Sequence, residues 1–222
     1  PQEYSTFGVG DFRESCLDVR DKNGGVAADL RYGSYRIYPG KKPLNGLPAA
    51  YGNEKDVDTL EIDLRDEVSG LVVTLRYSVF AQWDVIARSA EIFNRGTGVL
   101  ILERALSCCL DEPVPASRDI LTFYGRHMGE RNLERMPLRH GKFRVDSMRG
   151  ASSPHYNPFV ILCDSAATET AGNCWAFSLV YSGNFIAQAE VDQIDTLRFV
   201  MGIAPQNFSW ELKPGASFAG VR

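Results

Sequence analysis

The sequence predicts an all-β domain built from antiparallel sheets packed face to face. Three observations point there. Apolar and polar residues alternate through most of the 222-residue chain, which is the period of a strand with one face on a core. Strand-like segments recur about every eight to twelve residues with Gly, Asn and Pro between them, the spacing of a sandwich or barrel. No window carries a 3.6-residue apolar stripe over three turns. "ILERALSCCL" comes closest, but its β-branched start and the preceding "NRGTG" favour a strand.

In chain order, the first strands are expected at 13–20, 26–32 and 34–38. "TLEIDLRD" at 59–66 puts Leu60, Ile62 and Leu64 on one face. After "EVSG", "LVVTLRYSVF" aligns Leu71, Val73, Leu75, Tyr77 and Val79 in the same way, so the pair reads as an antiparallel hairpin. "VIARSAEIF" at 85–93, "NRGTG" and "VLILERALSCCL" at 99–110 read as a second hairpin. Further strands are expected at 119–125, 142–148, 159–164, 174–181, 184–192, 196–203 and 207–212. So long a series predicts two large packed sheets and one domain over residues 1–222.

The charge is mixed, 24 basic against 28 acidic residues, which offers no basic footprint for nucleic acid or an anionic membrane surface. The longest apolar run is Phe159 to Cys163, far short of the roughly 20 residues of a spanning helix. "PQEYSTFG" carries no basic n-region followed by an apolar stretch, so no signal peptide is visible. Cys16, Cys108, Cys109, Cys163 and Cys174 are odd in number and form no CxxC pair. They read as five buried thiols in a reducing compartment, and the chain is expected in the cytoplasm.

Candidate chemistry is sparse. Ser152 and Ser153 lie near His155, but no G-x-S-x-G elbow surrounds them, so they read as serines ending a turn. His127, His140 and His155 lack i, i+2 or i, i+4 spacing, so no metal is expected, and no cofactor. "FGVGDF" at 7–12 has one G-x-G without a third glycine or a following helix, and a strand-edge turn explains it better than a phosphate loop. Asp56 with Asp58, and Asp63 with Asp66, fall on hairpin ends or exposed strand faces, where charge keeps sheets soluble.

Sugar recognition fits more residues. It needs flat aromatics against a pyranose ring and carboxylates, amides and arginines for the hydroxyls. "DLRYGSYRIYPG" supplies Asp29, Arg31, Tyr32, Tyr35, Arg36 and Tyr38; "YSGNF" supplies Tyr181 and Asn184. "RGASSPHYNPF" at 149–159 supplies Arg149, His155 and Asn157 between two prolines that stiffen the loop. The competing reading has the tyrosines filling the core and the arginines paired with nearby acids.

Taken in order, "FGVGDFRES", "DLRYGSYRIYPGKKPLNGLPAAYG", "DVIARSAEIFNRG", "ILERALSCCLD", "RGASSPHYNPF", "FSLVYSGNF" and "NFSW" resemble the N-terminal β domain of glycoside hydrolase family 36 α-galactosidases. The resemblance covers essentially the whole chain and departs from the pattern at Tyr35 and Tyr156, where more polar residues are expected. It implies a galactose mutarotase-like β-supersandwich that precedes a catalytic (β/α)8 barrel and a small C-terminal β domain. It also implies a retaining enzyme acting on terminal α-galactose of melibiose- and raffinose-type oligosaccharides, and a homo-oligomer.

The family's two catalytic aspartates belong to the barrel, and its Lys-Trp-Asp motif occurs nowhere here. The resemblance therefore implies a fragment that starts at an internal point of the family pattern and lacks the barrel, with no catalytic residue of its own. Its partners would be that barrel, further copies of the chain and α-galactoside oligosaccharides. Asp29, Arg31, Tyr32, Arg149, His155, Asn157, Tyr181 and Asn184 are its candidates for substrate or interface contacts. Two other classes compete: a stand-alone carbohydrate-binding module, and an aldose epimerase-like enzyme, which needs a His with a Glu in one cleft.

Overall fold

The computed structural model describes residues 2–44, 46, 48–112 and 118–220. In chain order its strands are β1 (Leu17–Asp21), β2 (Arg31–Pro39), β3 (Asp58–Asp66), β4 (Leu71–Phe80) and β5 (Val85–Asn94). There follow β6 (Leu100–Glu112), β7 (Arg118–Arg126), β8 (Gly129–Pro137), β9 (Gly141–Ser147) and β10 (Tyr156–Asp164). The last are β11 (Cys174–Ser178), β12 (Phe185–Val191), β13 (Leu197–Ile203), β14 (Trp210–Leu212) and β15 (Ser217–Ala219). A 3-10 turn, Ala81–Trp83, joins β4 to β5. Every pairing between named strands is antiparallel, as the alternation predicts.

The antiparallel supersandwich is assembled from three hydrogen-bonded sheets, one more than the strand series alone predicts. A central sheet runs β1-β6-β13-β12-β9, with β14 also on β6; a second runs β15-β5-β4-β3-β2; a third runs β11-β10-β7-β8. Alternate residues of the central strands enter two separate cores. Ile186 and Val200 join Leu64, Leu71, Val73, Leu75 and Ile92 of the five-stranded sheet. Phe185, Ala187, Leu197, Phe199 and Met201 instead meet Ile120, Val160 and Leu162 of the four-stranded sheet. The central sheet is therefore the middle layer, covered on both faces. That is why β12 and β13 read as nearly continuous apolar runs.

Several expected boundaries move for physical reasons. Residues 26–30 form no strand; Ala28 instead ties back to the amino-terminal segment through its N–H on Phe7 O and its C=O under Thr6 Oγ1. The expected break at Gly33 is a bulge inside one continuous β2, a usual place for a strand glycine. Tyr156, Asn157 and Pro158 belong to β10, which shortens the preceding loop. β8 was not expected because "GERNLERMP" has no apolar alternation: it is an edge strand with most of its residues exposed. β15 was too short to leave a pattern.

β5 and β6 are not a hairpin. β5 pairs with β4 and β15, and β6 with β1, β13 and β14, so the 95–99 connection crosses between sheets. Asn94 organises the crossing, donating from Nδ2 to Gly98 O and Leu212 O and accepting from Gly96 N. Here "NRGTG" has the composition of a hairpin turn and the job of a corner.

β6 carries a bulge where Met201 faces Cys108 but Gly202 faces Leu106. A Cβ on Gly202 would lie 2.7 Å from Leu106 Cα and 2.8 Å from Ser107 N, both backbone atoms that cannot swing aside. Gly202→Ala is expected to destabilise the fold by about 2 to 3 kcal/mol, read as a lowered urea midpoint at unchanged slope.

Candidate functional site

The eight residues expected to make contacts fall into two groups. Asp29, Arg31 and Tyr32 lie at the start of β2; Arg31 Nε donates to Asp29 Oδ2 at 2.8 Å, and all three are exposed. Arg149, His155, Asn157, Tyr181 and Asn184 surround the loop between β9 and β10. That loop is braced by its neighbours: Gly150 N donates to Asn184 Oδ1 at 2.7 Å and Ser152 N to Ser182 O at 2.7 Å. The exposed His155 ring stacks on Tyr156 at 4.6 Å, Tyr181 packs against the second core, and Arg149 is exposed. Among the described residues no hydrogen bond, ion pair or ring contact joins the two groups.

All five cysteines are free, but they are not five buried thiols. Cys174 is exposed because β11 is an edge strand whose residues mostly face solvent, and Cys108 on β6 is half-buried. His127, His140 and His155 are exposed, and His140 Nε2 pairs with Asp195 at the surface.

Two ionic centres that single residues did not announce organise the charged surface. At one end of the central sheet, the fully buried Arg198 grips Asp111 with Nε and Nη2, both at 2.7 Å, and reaches Asp11 Oδ2 at 2.7 Å. Arg13 bridges the same two aspartates. Beside it opens a cavity of about 850 Å³ lined by Phe12, Asp192 and Ile194 among others. Hydrogen bonds from Arg13 hold Asp11 well below the usual carboxylate range. At Glu14 burial pushes the carboxyl up, yet bonds from Lys142, Arg104 and Gln188 win and bring it down to about 2.

The second centre lies on the outer face of the five-stranded sheet. Glu61, 1% exposed, receives Arg76 Nε at 2.6 Å, Tyr38 Oη at 3.0 Å and the Arg36 guanidinium, with Lys42 Nζ at 3.5 Å. Burial again opposes the charge, and the arginine and tyrosine donors lower the carboxyl to about 2. In both centres arginines engage the buried carboxylates and so tie neighbouring strands together.

The inner face of this sheet is different. Ile62, Leu64 and Leu75 point from it into the first core. Residues directly opposite one another share a face, and the register Tyr35↔Ile62, Ile37↔Leu60↔Tyr77 and Val79↔Ile86 extends that same face along the strands. Tyr77 still packs against the core, but among the described residues the far part of the face stays open: Tyr35, Ile37, Val79 and Ile86 are 63%, 65%, 41% and 60% exposed. The sheet overhangs its partner and leaves a shelf of exposed apolar side chains, with Asp58 opposite Val79 and Arg88 opposite Tyr77 on the same face. β15 runs antiparallel to β5, with Gly220 N on Ala90 O at 2.8 Å, and so heads along that edge toward Ile86. Exposed apolar side chains grouped on one sheet face have the composition of an interaction surface. The signal was present in the sequence: the alternation in 71–80 and 85–93 runs past the length that one opposing sheet can bury.

Comparison with known proteins places this architecture. The family model described as "Glycosyl hydrolase family 36 N-terminal domain" matches residues 1–213. The bifunctional alpha-galactosidase/sucrose kinase AgaSK of Mediterraneibacter gnavus is 47% identical over 218 residues, 98% of this chain and 23% of that protein. Alpha-galactosidase AgaA of Geobacillus stearothermophilus is 48% identical over 218 residues, 98% of this chain and 30% of its own length. A crystal structure of an AgaA variant in complex with raffinose superposes with a TM-score of 0.97 at 48% identity, covering 99% of this chain and 31% of that one. This chain thus spans about a quarter to a third of the length of the relatives it matches.

Proposed function

The chain belongs to the glycosyl hydrolase family 36 N-terminal domain family, and from that premise we propose that it serves as the non-catalytic β module of a retaining α-galactosidase. The observation that carries the reading is the apolar shelf of Tyr35, Ile37, Val79 and Ile86. Its occupant is the catalytic part of a polypeptide as long as the relatives. β15 runs along β5 toward the same shelf, so a chain continuing in that direction would arrive beside it.

Retention of configuration needs two carboxyls about 5 Å apart across the scissile bond, one as nucleophile and one as acid/base. Glu61, the most buried carboxylate among the described residues, is held ionised by Arg36 and Arg76, and Asp111 is engaged by Arg13 and Arg198, so neither suits the acid role. The chemistry then belongs to the docked part. This module supplies a rigid wall and polar contacts from Asp29, Arg31 and Tyr32 beside the shelf, and from the braced loop of Arg149, His155, Asn157, Tyr181 and Asn184. The substrates are terminal α-galactosides of the melibiose and raffinose type, and the assembled enzyme is a cytoplasmic homo-oligomer.

The isolated chain is expected to release no p-nitrophenol from p-nitrophenyl α-galactoside above the uncatalysed rate. Turnover that survives purification and scales with this polypeptide would overturn the assignment of a non-catalytic module.

A further inference from the structure

Cys163 on β10 and Cys174 on β11 are Cα partners in the antiparallel ladder. Their neighbours on either side set the kind of pair they form. Asp164 N donates to Asn173 O at 3.0 Å, and Leu179 N donates to Pro158 O at 2.9 Å. Hydrogen-bonded pairs alternate with open ones along such a ladder, so Cys163 and Cys174 occupy an open pair. Opposite Cα atoms in an open pair are about 4.5 Å apart, and both side chains leave the same face, within the span a disulfide can bridge. That face is the outer one, since Val160 and Leu162, of opposite parity, fill the second core. Both thiols are free in this structure, Cys174 exposed and Cys163 buried.

We infer that Cys163 and Cys174 form a reversible intramolecular disulfide when the chain meets a low-molecular-weight disulfide oxidant such as glutathione disulfide. The exposed Cys174 acts first. Its thiolate attacks one sulfur of the oxidant, the oxidant's S–S bond breaks, and one glutathione thiolate leaves. Cys163 then loses its proton to solvent and attacks Cys174 Sγ, which expels the second glutathione. Two protein thiols have been oxidised by two electrons, and one glutathione disulfide has been reduced to two thiols. Burial raises the Cys163 thiol and the nearby Arg135 only partly offsets this, so Cys163 suits the resolving role better than the attacking one. The bond would close the 164–173 connection and staple the edge strand β11 to β10.

The test treats the purified chain with glutathione disulfide near neutral pH, blocks remaining thiols and maps the peptides without reduction. The expected product has lost the mass of two hydrogens, titrates two fewer thiols and links the Cys163 and Cys174 peptides within one chain. It also melts a few degrees higher, and dithiothreitol reverses each change. Cys163→Ser should stall with one glutathionyl group on Cys174, and Cys174→Ser should leave residue 163 unmodified. A wild-type chain that stalls as the mixed disulfide, stays fully reduced, or links between two chains would overturn the inference.

Discussion

Arg198→Ala is expected to lower the unfolding free energy by about 3 kcal/mol or more, read as a shift in urea midpoint at neutral pH. Arg198 is the largest fully buried side chain among the described residues, and it satisfies Asp111 through a two-pronged contact. Truncation leaves Asp111, whose side chain is 6% exposed, with Arg13 alone. The loss comes mainly from stranding a buried charge, so Arg198→Met with Asp111→Leu should recover much of it. Recovery no better than the single substitution would show that packing, not charge, sets the cost.

The same centres fix the direction of acid sensitivity. Glu14 and Glu61 fall to about 2 in the folded chain, and Asp11 lies lower still. Unfolded, such groups titrate near pH 4. Between these limits the unfolded chain binds more protons, so stability rises with pH. The contribution is complete above about pH 5 and drains away as pH falls toward about 2. A stability profile flat over that window would contradict the ionic assignments.

In a polypeptide of the relatives' length, Ile37→Asp with Ile86→Asp is expected to detach this module from the part it docks. Each isoleucine contributes about 2 kcal/mol on burial, so together they weaken docking by roughly a thousandfold. One cooperative thermal transition should split into two, and activity on p-nitrophenyl α-galactoside should fall. Both positions face solvent in the isolated chain, so the module itself should keep its melting temperature. An unsplit transition with unchanged activity would remove the shelf as the docking surface.

What could be read from the sequence followed how strictly one face was apolar. β3 and β4 were plain because Leu60, Ile62 and Leu64 oppose Tyr77, Leu75 and Val73 in register across a tight turn. β8 escaped notice because an edge strand facing water needs no alternation. Glu61 in "LEIDL" reads as a solvent-facing strand residue, and the approach of Arg36, Tyr38, Lys42 and Arg76 from neighbouring segments encloses it. Arg198 amid "LRFVMGI" looks anomalous, but its partners stand 87 and 187 residues away, beyond any local pattern. The candidate contacts were recognisable as residue types, whereas their division into two groups is a property of topology.

The middle layer has a kinetic consequence. Ile186 and Ala187 are adjacent yet belong to different cores, as are Phe199 and Val200. Neither core can melt while the other stays dry, because each shares β12 and β13 as its wall. The amide protons of 186–189 and 198–201 should therefore exchange with deuterium only when the whole chain opens. Those of β8 and β11, at the two edges of the four-stranded sheet, should exchange through local fraying and at rates that barely respond to urea.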